Sequence, residues 1–210
     1  MRIGLFSARF LGEAVANLIV AAGHELVARH HVAAGWWGVA GEEHRDDVFA
    51  AAPELVVSVL TDHIFTADEI AQPECGIVNL HPAPLPEYRG CNSYSHAILN
   101  DDFVYRVTLH RVDAGIDTGP IIDDASMTLL QHDTARSLHD RAQAFALMVF
   151  AKNLHIITRH AYSLRAQDES KARYYRRDSL EPYRNLADHP EGEWPRIRRA
   201  LNFPPFPMPE

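Results

Sequence analysis

The 210-residue sequence predicts an α/β fold built on a doubly wound, mostly parallel sheet. Three observations carry that expectation. The chain opens with an apolar run, an amphipathic stretch and a second apolar run, which reads β-α-β, the half-unit of such a sheet. Further short apolar runs, Glu54–Leu60, Ile77–Leu80 and Val104–Leu109, have the length and branching of buried strands. A long amphipathic stretch, Thr134–His160, is suited to packing on the sheet.

In chain order, Met1–Phe6 is the first strand and Leu11–Ala22 the first helix, with Gly23 as its stop. The turn between them, Ser7–Glu13, holds one glycine and is no dinucleotide fingerprint. Glu25–Arg29 is a second strand. His30–Gly41 carries Trp36-Trp37 between glycines and reads either as a loop with a hydrophobic plug or as a stacking surface for substrate. Glu42–Ala52 can form a short helix. After the strand Glu54–Leu60 come His63–Phe65 and a helical turn, Thr66–Ala71. Pro82–Gly90 has three prolines and a closing glycine, so it is a stiff, shaped loop. Asn92–Asn100 is a short helix. Thr134–His160 has Asp133 or Thr134 available as a cap, and Leu138, Phe145, Leu147, Met148, Phe150, Leu154 and Ile157 among its apolar positions. The charged, aromatic, proline-rich remainder divides the chain into a domain over 1–164 and an extension over 165–210.

Hydrophobic content of 47% and charged content of 23% fit one globular unit. A net charge of −8 without a cationic run argues against a nucleic-acid partner, whose binding needs Lys and Arg to displace counterions. No apolar stretch is long enough for a membrane span. The two cysteines lack metal or redox spacing, and no secretory leader is evident, so a cytoplasmic protein with reduced thiols is expected. The ten histidines other than His63, His81 and His110 show no zinc-binding spacing, so no metal is expected and they read as surface residues.

The chemistry concentrates between Gly76 and Ile122. The first buried run ends in Asn79 and His81, the second in His110 and, after a tight loop, Asp117. An amide, an imidazole and a carboxylate arriving at one crevice suit acyl transfer. The stretch contains Asn79-Leu80-His81-Pro82, then Leu85-Pro86-Glu87-Tyr88-Arg89-Gly90, then Thr108-Leu109-His110 and, seven residues beyond that histidine, Asp117-Thr118-Gly119. In order and spacing it resembles the catalytic core of the folate-dependent formyltransferases, which include glycinamide ribonucleotide, methionyl-tRNA and sugar N-formyltransferases.

The resemblance implies a Rossmann-like formyltransferase fold with a shortened N-terminal half and a short C-terminal extension. It implies 10-formyl-tetrahydrofolate as co-substrate, and Asn79, His81 and Asp117 as the catalytic trio. By the same resemblance His63, Phe65, Ile77, Val112 and Asp113 line the pterin pocket. His110 either joins that wall or packs beneath the 113–117 loop. Asn92 and Tyr94 either face the acceptor or pack. Tyr174-Tyr175-Arg176-Arg177 and the segment from Arg199 to Phe206 are similar to the C-terminal part of sugar N-formyltransferases, where they frame substrate and help form a homodimer. The Ser7–Glu13 turn lacks the Gly-Ser-Asn signature of the glycinamide ribonucleotide enzymes. The extra C-terminal barrel of the methionyl-tRNA enzymes also finds no counterpart.

The residues themselves fit that chemistry. Asn79 offers an uncharged N–H to a carbonyl oxygen that becomes negative as an amine attacks, through a tetrahedral intermediate. His81 can donate a second hydrogen bond or act as general acid, and Asp117 can orient His81 or accept a proton through water. No covalent formyl-enzyme is required. The expected acceptor is a small amine, foremost a nucleotide-linked amino sugar, with an aminoacyl or secondary-metabolite amine as alternative. A folate-binding protein without turnover is the rival of another class.

Overall fold

A computed structural model describes residues 1–32, 44–45 and 47–209; Trp36-Trp37 lies outside them. The chain begins with β1 (Arg2–Ala8), α1 (Arg9–Ala21) and β2 (Glu25–Val32). Gly23 ends the helix with a φ of +80°, a left-handed turn that glycine adopts without steric cost. Next come β3 (His44–Arg45), β4 (Leu55–Val59), α2 (Ala67–Ala71) and β5 (Ile77–His81). Thr66 caps α2 in a reciprocal box with Glu69. The remaining strands and α-helices described are β6 (Arg89–Gly90), α3 (Ser93–Leu99), β7 (Val104–Arg111), β8 (Ile121–Thr128), α4 (Ala135–Ile157), β9 (Tyr174–Tyr175) and α5 (Trp194–Leu201).

Among the described residues seven strands form one sheet in the order β3-β2-β1-β4-β5-β7-β8. The pairs β1–β2, β1–β4 and β4–β5 are parallel. The pairs β2–β3, β5–β7 and β7–β8 are antiparallel, so only β3 and β7 run against the rest. This is the expected mostly parallel α/β sheet.

Strand periodicity sorts the core into two faces. Ile3 and Leu5, then Leu55, Val57 and Val59, then Val78 and Leu80, then Tyr105, Val107 and Leu109 join the larger buried cluster, with residues of α1, α3, α4 and α5. The alternate residues Phe6, Val56 and Ile77 join a smaller cluster with Val48 and Phe65. Asn79 and His81 continue the Ile77 face, so period two alone puts both on the thinly covered side of the sheet.

Several expectations are corrected. The described residues of Glu42–Ala52 form no helix: His44–Arg45 pair antiparallel with β2 and 48–51 is a turn. The edge strand β8 was not foreseen. Met148, placed among the apolar positions of α4, is 52% exposed, whereas Leu138, Phe150, Leu154 and Ile157 are buried. Thr134 is the cap of α4, and Asp133 instead accepts from Leu130 N and Ser137 Oγ.

The C-terminal segment returns along the domain. Arg165 and Ile121 exchange two backbone hydrogen bonds, at 2.8 and 2.9 Å. β9 pairs in parallel with β6 as a second, two-stranded sheet. Leu186, Ile197, Ala200 and Leu201 lie in the larger cluster. Among the described residues no helix is long and apolar enough to cross a membrane. No group of three or more His, Cys, Asp or Glu among them is placed to hold a metal ion.

Candidate active site

β5 and β7 are antiparallel, so their carboxyl ends lie at opposite edges and cannot converge on one crevice, as the sequence reading had them do. The shared face brings the residues together instead. Asn79 stands directly opposite His110 and His81 opposite Thr108. The tight turn before β8 then carries Asp117 back over them.

Asn79 Nδ2 donates to His110 Nε2 at 3.1 Å and to Asp117 Oδ1 at 3.4 Å. His81 Nδ1 lies 3.7 Å from Asp117 Oδ1, and His110 Nε2 lies 3.6 Å from the same atom. The other carboxylate oxygen, Oδ2, accepts from the Gly90 N–H at 2.9 Å. The expected trio therefore meets at one carboxylate. His81 and Asp117 each keep 12% side-chain exposure, enough to reach a ligand, whereas His110 keeps 2%.

The partners fix tautomers. The carbonyl of Tyr88 only accepts, so the 2.9 Å contact puts a hydrogen on His81 Nε2. Nδ1, facing Asp117, is the nitrogen left to exchange a proton. The Arg111 carbonyl takes the hydrogen of His110 Nδ1 at 2.8 Å. A carboxylate oxygen beside Asn79 calls for the donor end of the amide, so His110 Nε2 accepts and its ring is neutral in this arrangement. His110 thus supports Asn79 from behind.

Burial alone would push the Asp117 carboxyl up. The nearby His81 ring and the Gly90 N–H outweigh it and hold the acid well below the usual carboxylate range. The backbone is shaped for this. Asp117 has a φ of +55° and Gly90 a φ of +86°. A Cβ on Gly90 would sit 2.4 Å from the Tyr175 carbonyl, so only glycine lets β9 approach while its N–H points at Asp117. At Gly119 a Cβ would fall 1.9 Å from the Arg111 carbonyl, closing the turn to any larger residue.

Residues 16–154 match the family model described as formyl transferase. The chain belongs to the formyl transferase family. It is similar to the methionyl-tRNA formyltransferase of Methylococcus capsulatus, 30% identical over 170 residues, which cover 81% of this chain and 54% of that protein. It is also similar to that of Halorhodospira halophila, 37% identical over 101 residues, 48% of this chain and 33% of that protein. The chain spans about half the length of the first curated relatives it matches. In structure it is similar to the N-formyltransferase of Helicobacter canadensis crystallised with folinic acid and dTDP-3-aminofucose, at a TM-score of 0.78 and 21% identity over 99% of this chain and 83% of that one. A sugar N-formyltransferase from a Shewanella species superposes at a TM-score of 0.83 with 19% identity, over 99% of this chain and 91% of that one. At these identities the superpositions establish the fold.

The other expected residues divide. His63 stacks on Phe6 at 4.8 Å between ring centroids and contacts Glu69 at 3.0 Å, with 30% of its side chain exposed. Phe65 is 9% exposed and packs edge-on against Phe6 and His63. The Ile77 side chain is wholly buried, while its carbonyl accepts from Val112 N at 2.9 Å. Asp113 ties its own turn, accepting from Gly115 N and Thr118 Oγ1. Asn92 and Tyr94 take the packing alternative. Asn92 Nδ2 donates to the carbonyls of Arg176 and Arg177 and to Ser179 Oγ. Tyr94 lies against Tyr105 and His139 on the other side of the sheet.

The sequence reading also missed two side chains that tie the returning segment to the site region. His96 was grouped with surface histidines but is 5% exposed, with Nε2 2.7 Å from Ser179 Oγ. Gln167 donates to the carbonyls of Asp117 and Gly119. Nothing in the local pattern around Gln167 signals this, because its partners lie about fifty residues away.

Proposed function

We propose that this protein transfers a formyl group from 10-formyl-tetrahydrofolate to the amine of a small acceptor, foremost a nucleotide-linked amino sugar. The observation that carries this reading is the meeting of Asn79, His81 and Asp117 at one carboxylate on the open face of the sheet. Family membership and the likeness to a fold solved with folinic acid and dTDP-3-aminofucose support it. The residues suit such a donor: a neutral amide beside an ionised acid and an imidazole, with Ile64 and Ile116, 68% and 39% exposed, next to His63 and Asp117 in sequence.

In the net reaction a bond forms between the acceptor nitrogen and the formyl carbon. The bond from that carbon to the donor nitrogen breaks, and one proton moves from acceptor nitrogen to donor nitrogen. The folate supplies the formyl group on a nitrogen able to leave. Asn79 provides the N–H that meets the developing negative charge on oxygen. Of its two hydrogen bonds, the 3.4 Å one to Asp117 is the weaker and is the one exchanged for substrate. His81 Nδ1 takes the proton and returns it, with the Asp117 carboxylate facing that nitrogen at 3.7 Å. The acid stays charged because its own neighbours hold it so.

A second reading, formylation of an aminoacyl amine, is favoured by the methionyl-tRNA formyltransferase relatives. Release of tetrahydrofolate, followed with nucleotide-linked amino sugars, methionyl-tRNA and no acceptor, separates the readings. The expected outcome is release that depends on an amino sugar and is abolished in Asn79→Ala, His81→Ala and Asp117→Ala, each still folded. Near-normal turnover in any of the three removes that residue from the mechanism. Folate binding without release by any acceptor overturns the enzymatic reading.

A further inference from the structure

The Gln167 carboxamide is used at every polar position. Nε2 donates to Asp117 O at 2.8 Å and to Gly119 O at 2.7 Å. Oε1 accepts from Arg89 Nε at 3.1 Å and Nη2 at 2.8 Å. The reverse orientation would set an oxygen against two carbonyls and an NH2 against a guanidinium, so the assignment is unambiguous. Arg89, 8% exposed in its side chain, is in turn held by both carboxylate oxygens of Glu169, at 3.0 and 2.6 Å. It immediately precedes Gly90, whose N–H grips the Asp117 carboxylate.

One side chain therefore links the two loops that must keep register. On one side is the turn that carries Asp117. On the other is β6, which supplies the hydrogen bond to that same Asp117. Gln167 is itself anchored at both ends. Upstream, Arg165 pairs with Ile121. Downstream, Arg173 O accepts from Arg89 N at 3.0 Å and Tyr175 O from Cys91 N at 2.8 Å. The result is a closed ring, from Gln167 through Arg89 and Gly90 to Asp117 and back. All of its Gln167 arm lies beyond residue 154, where the family match ends.

We propose that Gln167 is a positioning residue for formyl transfer, clamping the Asp117 turn to Arg89 so that the Gly90 N–H and the Asp117 carboxylate stay in contact. The inference rests on the function proposed above. Without the clamp the Asp117 turn can withdraw from Gly90 while the fold, held by the sheet and by α4, persists. Misplacement of a catalytic group by about 1 Å can cost on the order of 10²-fold in rate.

The test compares Gln167→Ala and Gln167→Glu with wild type, and uses Lys171→Ala as a control, a residue 62% exposed in the same segment. Gln167→Glu keeps an acceptor for Arg89 but turns a carboxylate on two carbonyls, so it separates the clamp from the packing of the segment. Expected are kcat lower by about 10–100-fold in both Gln167 variants with KM for the folate within about threefold, and an unchanged control. The acid limb of the kcat profile also moves to higher pH, because Asp117 loses the N–H that helps keep it ionised. The charged or titratable groups facing Asp117 are His81 on β5, His110 on β7 and, beside β6, Cys91, and none of them is altered by the substitutions.

The Gly90 amide gives a readout independent of turnover. Its proton resonance and exchange protection in wild type report the carboxylate bond, and both fall in the Gln167 variants. A lowered Tm with kcat, pH profile and Gly90 amide unchanged overturns the proposal and leaves Gln167 a structural tie. If Gln167→Ala does not fold, Gln167→Glu and Arg89→Lys carry the same comparison. If the wild-type protein transfers no formyl group, the reading of function fails, while the Gly90 amide still decides the clamp.

Discussion

Replacing His96 by glutamine should make the protein less sensitive to mild acid. His96 is buried in α3, stacked at 4.0 Å on Tyr175 and hydrogen-bonded to Ser179. Burial pulls its imidazole from the ordinary 6.5 down to about 4. Between those values the unfolded chain binds a proton that the folded one refuses, so stability rises with pH through this window and is lost as pH falls from about 6.5 towards 4. With those two values, linkage gives a loss of about 2 kcal/mol on going from pH 7.5 to pH 5.

Urea unfolding of wild type and His96→Gln at both pH values isolates this quantity. Glutamine does not titrate and retains a donor and an acceptor for Ser179. Other groups, including His24 and His139, whose imidazoles burial also depresses, titrate alike in both proteins and cancel in the difference. Wild type is expected to lose about 2 kcal/mol more than the variant. Equal losses would refute the reasoning, since they would mean that His96 protonates in the folded state as freely as in the unfolded one. The consequence reaches the active site, because His96 and Asn92 both hold Ser179, in the segment that also contributes Tyr175 and Gln167.

Gly90→Ala is expected to destabilise the protein by at least about 1–3 kcal/mol, through its φ of +86° and a Cβ forced to 2.4 Å from the Tyr175 carbonyl; thermal unfolding measures this. Asp117→Asn should lower turnover by about 10²–10⁴-fold in the tetrahydrofolate-release assay, with the fold retained. Because the folded-state acid is depressed, its stabilising contribution is present above the usual carboxylate range and lost only as pH falls below it. The stability difference between wild type and Asp117→Asn is therefore expected to stay constant from pH 8 to about pH 5, and urea unfolding across that range checks it.

The parts of the fold that were legible in the sequence are those whose causes are local. Alternation along Ile77–His81 sets Asn79 and His81 on one face, and a capping residue followed by helical periodicity places α4. Strand β8 escaped because its Asp123 and Asp124 break the apolar pattern. In the structure they are satisfied from outside the strand, Asp123 by Lys152 and Asn153 and Asp124 by Arg165. A polar edge strand of this kind resists pairing with another sheet, so the feature that hid it protects it. His96 looked like any polar residue on a short helix until Tyr175 and Ser179 closed over it. Asn92, adjacent to the quoted motif, turned out to bind the returning segment.

The site was legible as a set of residues and illegible as a geometry, and the reason lies in where its restraints come from. Asp117 sits in left-handed backbone on a turn, and its longer bond to Asn79, at 3.4 Å, is a weak hold. The shorter bond comes from Gly90, on a different loop, and that loop keeps its position because β9 pairs with it from beyond the motif region. Asp117 is thus named by a motif but aimed through a segment that lies beyond it. The parallel sheet provides the Asn79 and His81 face at little cost, since alternation suffices. Holding the acid against that face requires three stretches of chain far apart in sequence to meet within hydrogen-bonding distance. Substitutions at the inward-facing ties of this segment, Gln167 above all, should therefore change catalysis more than their distance from the quoted motifs suggests, and those in the solvent-facing half of α4 less.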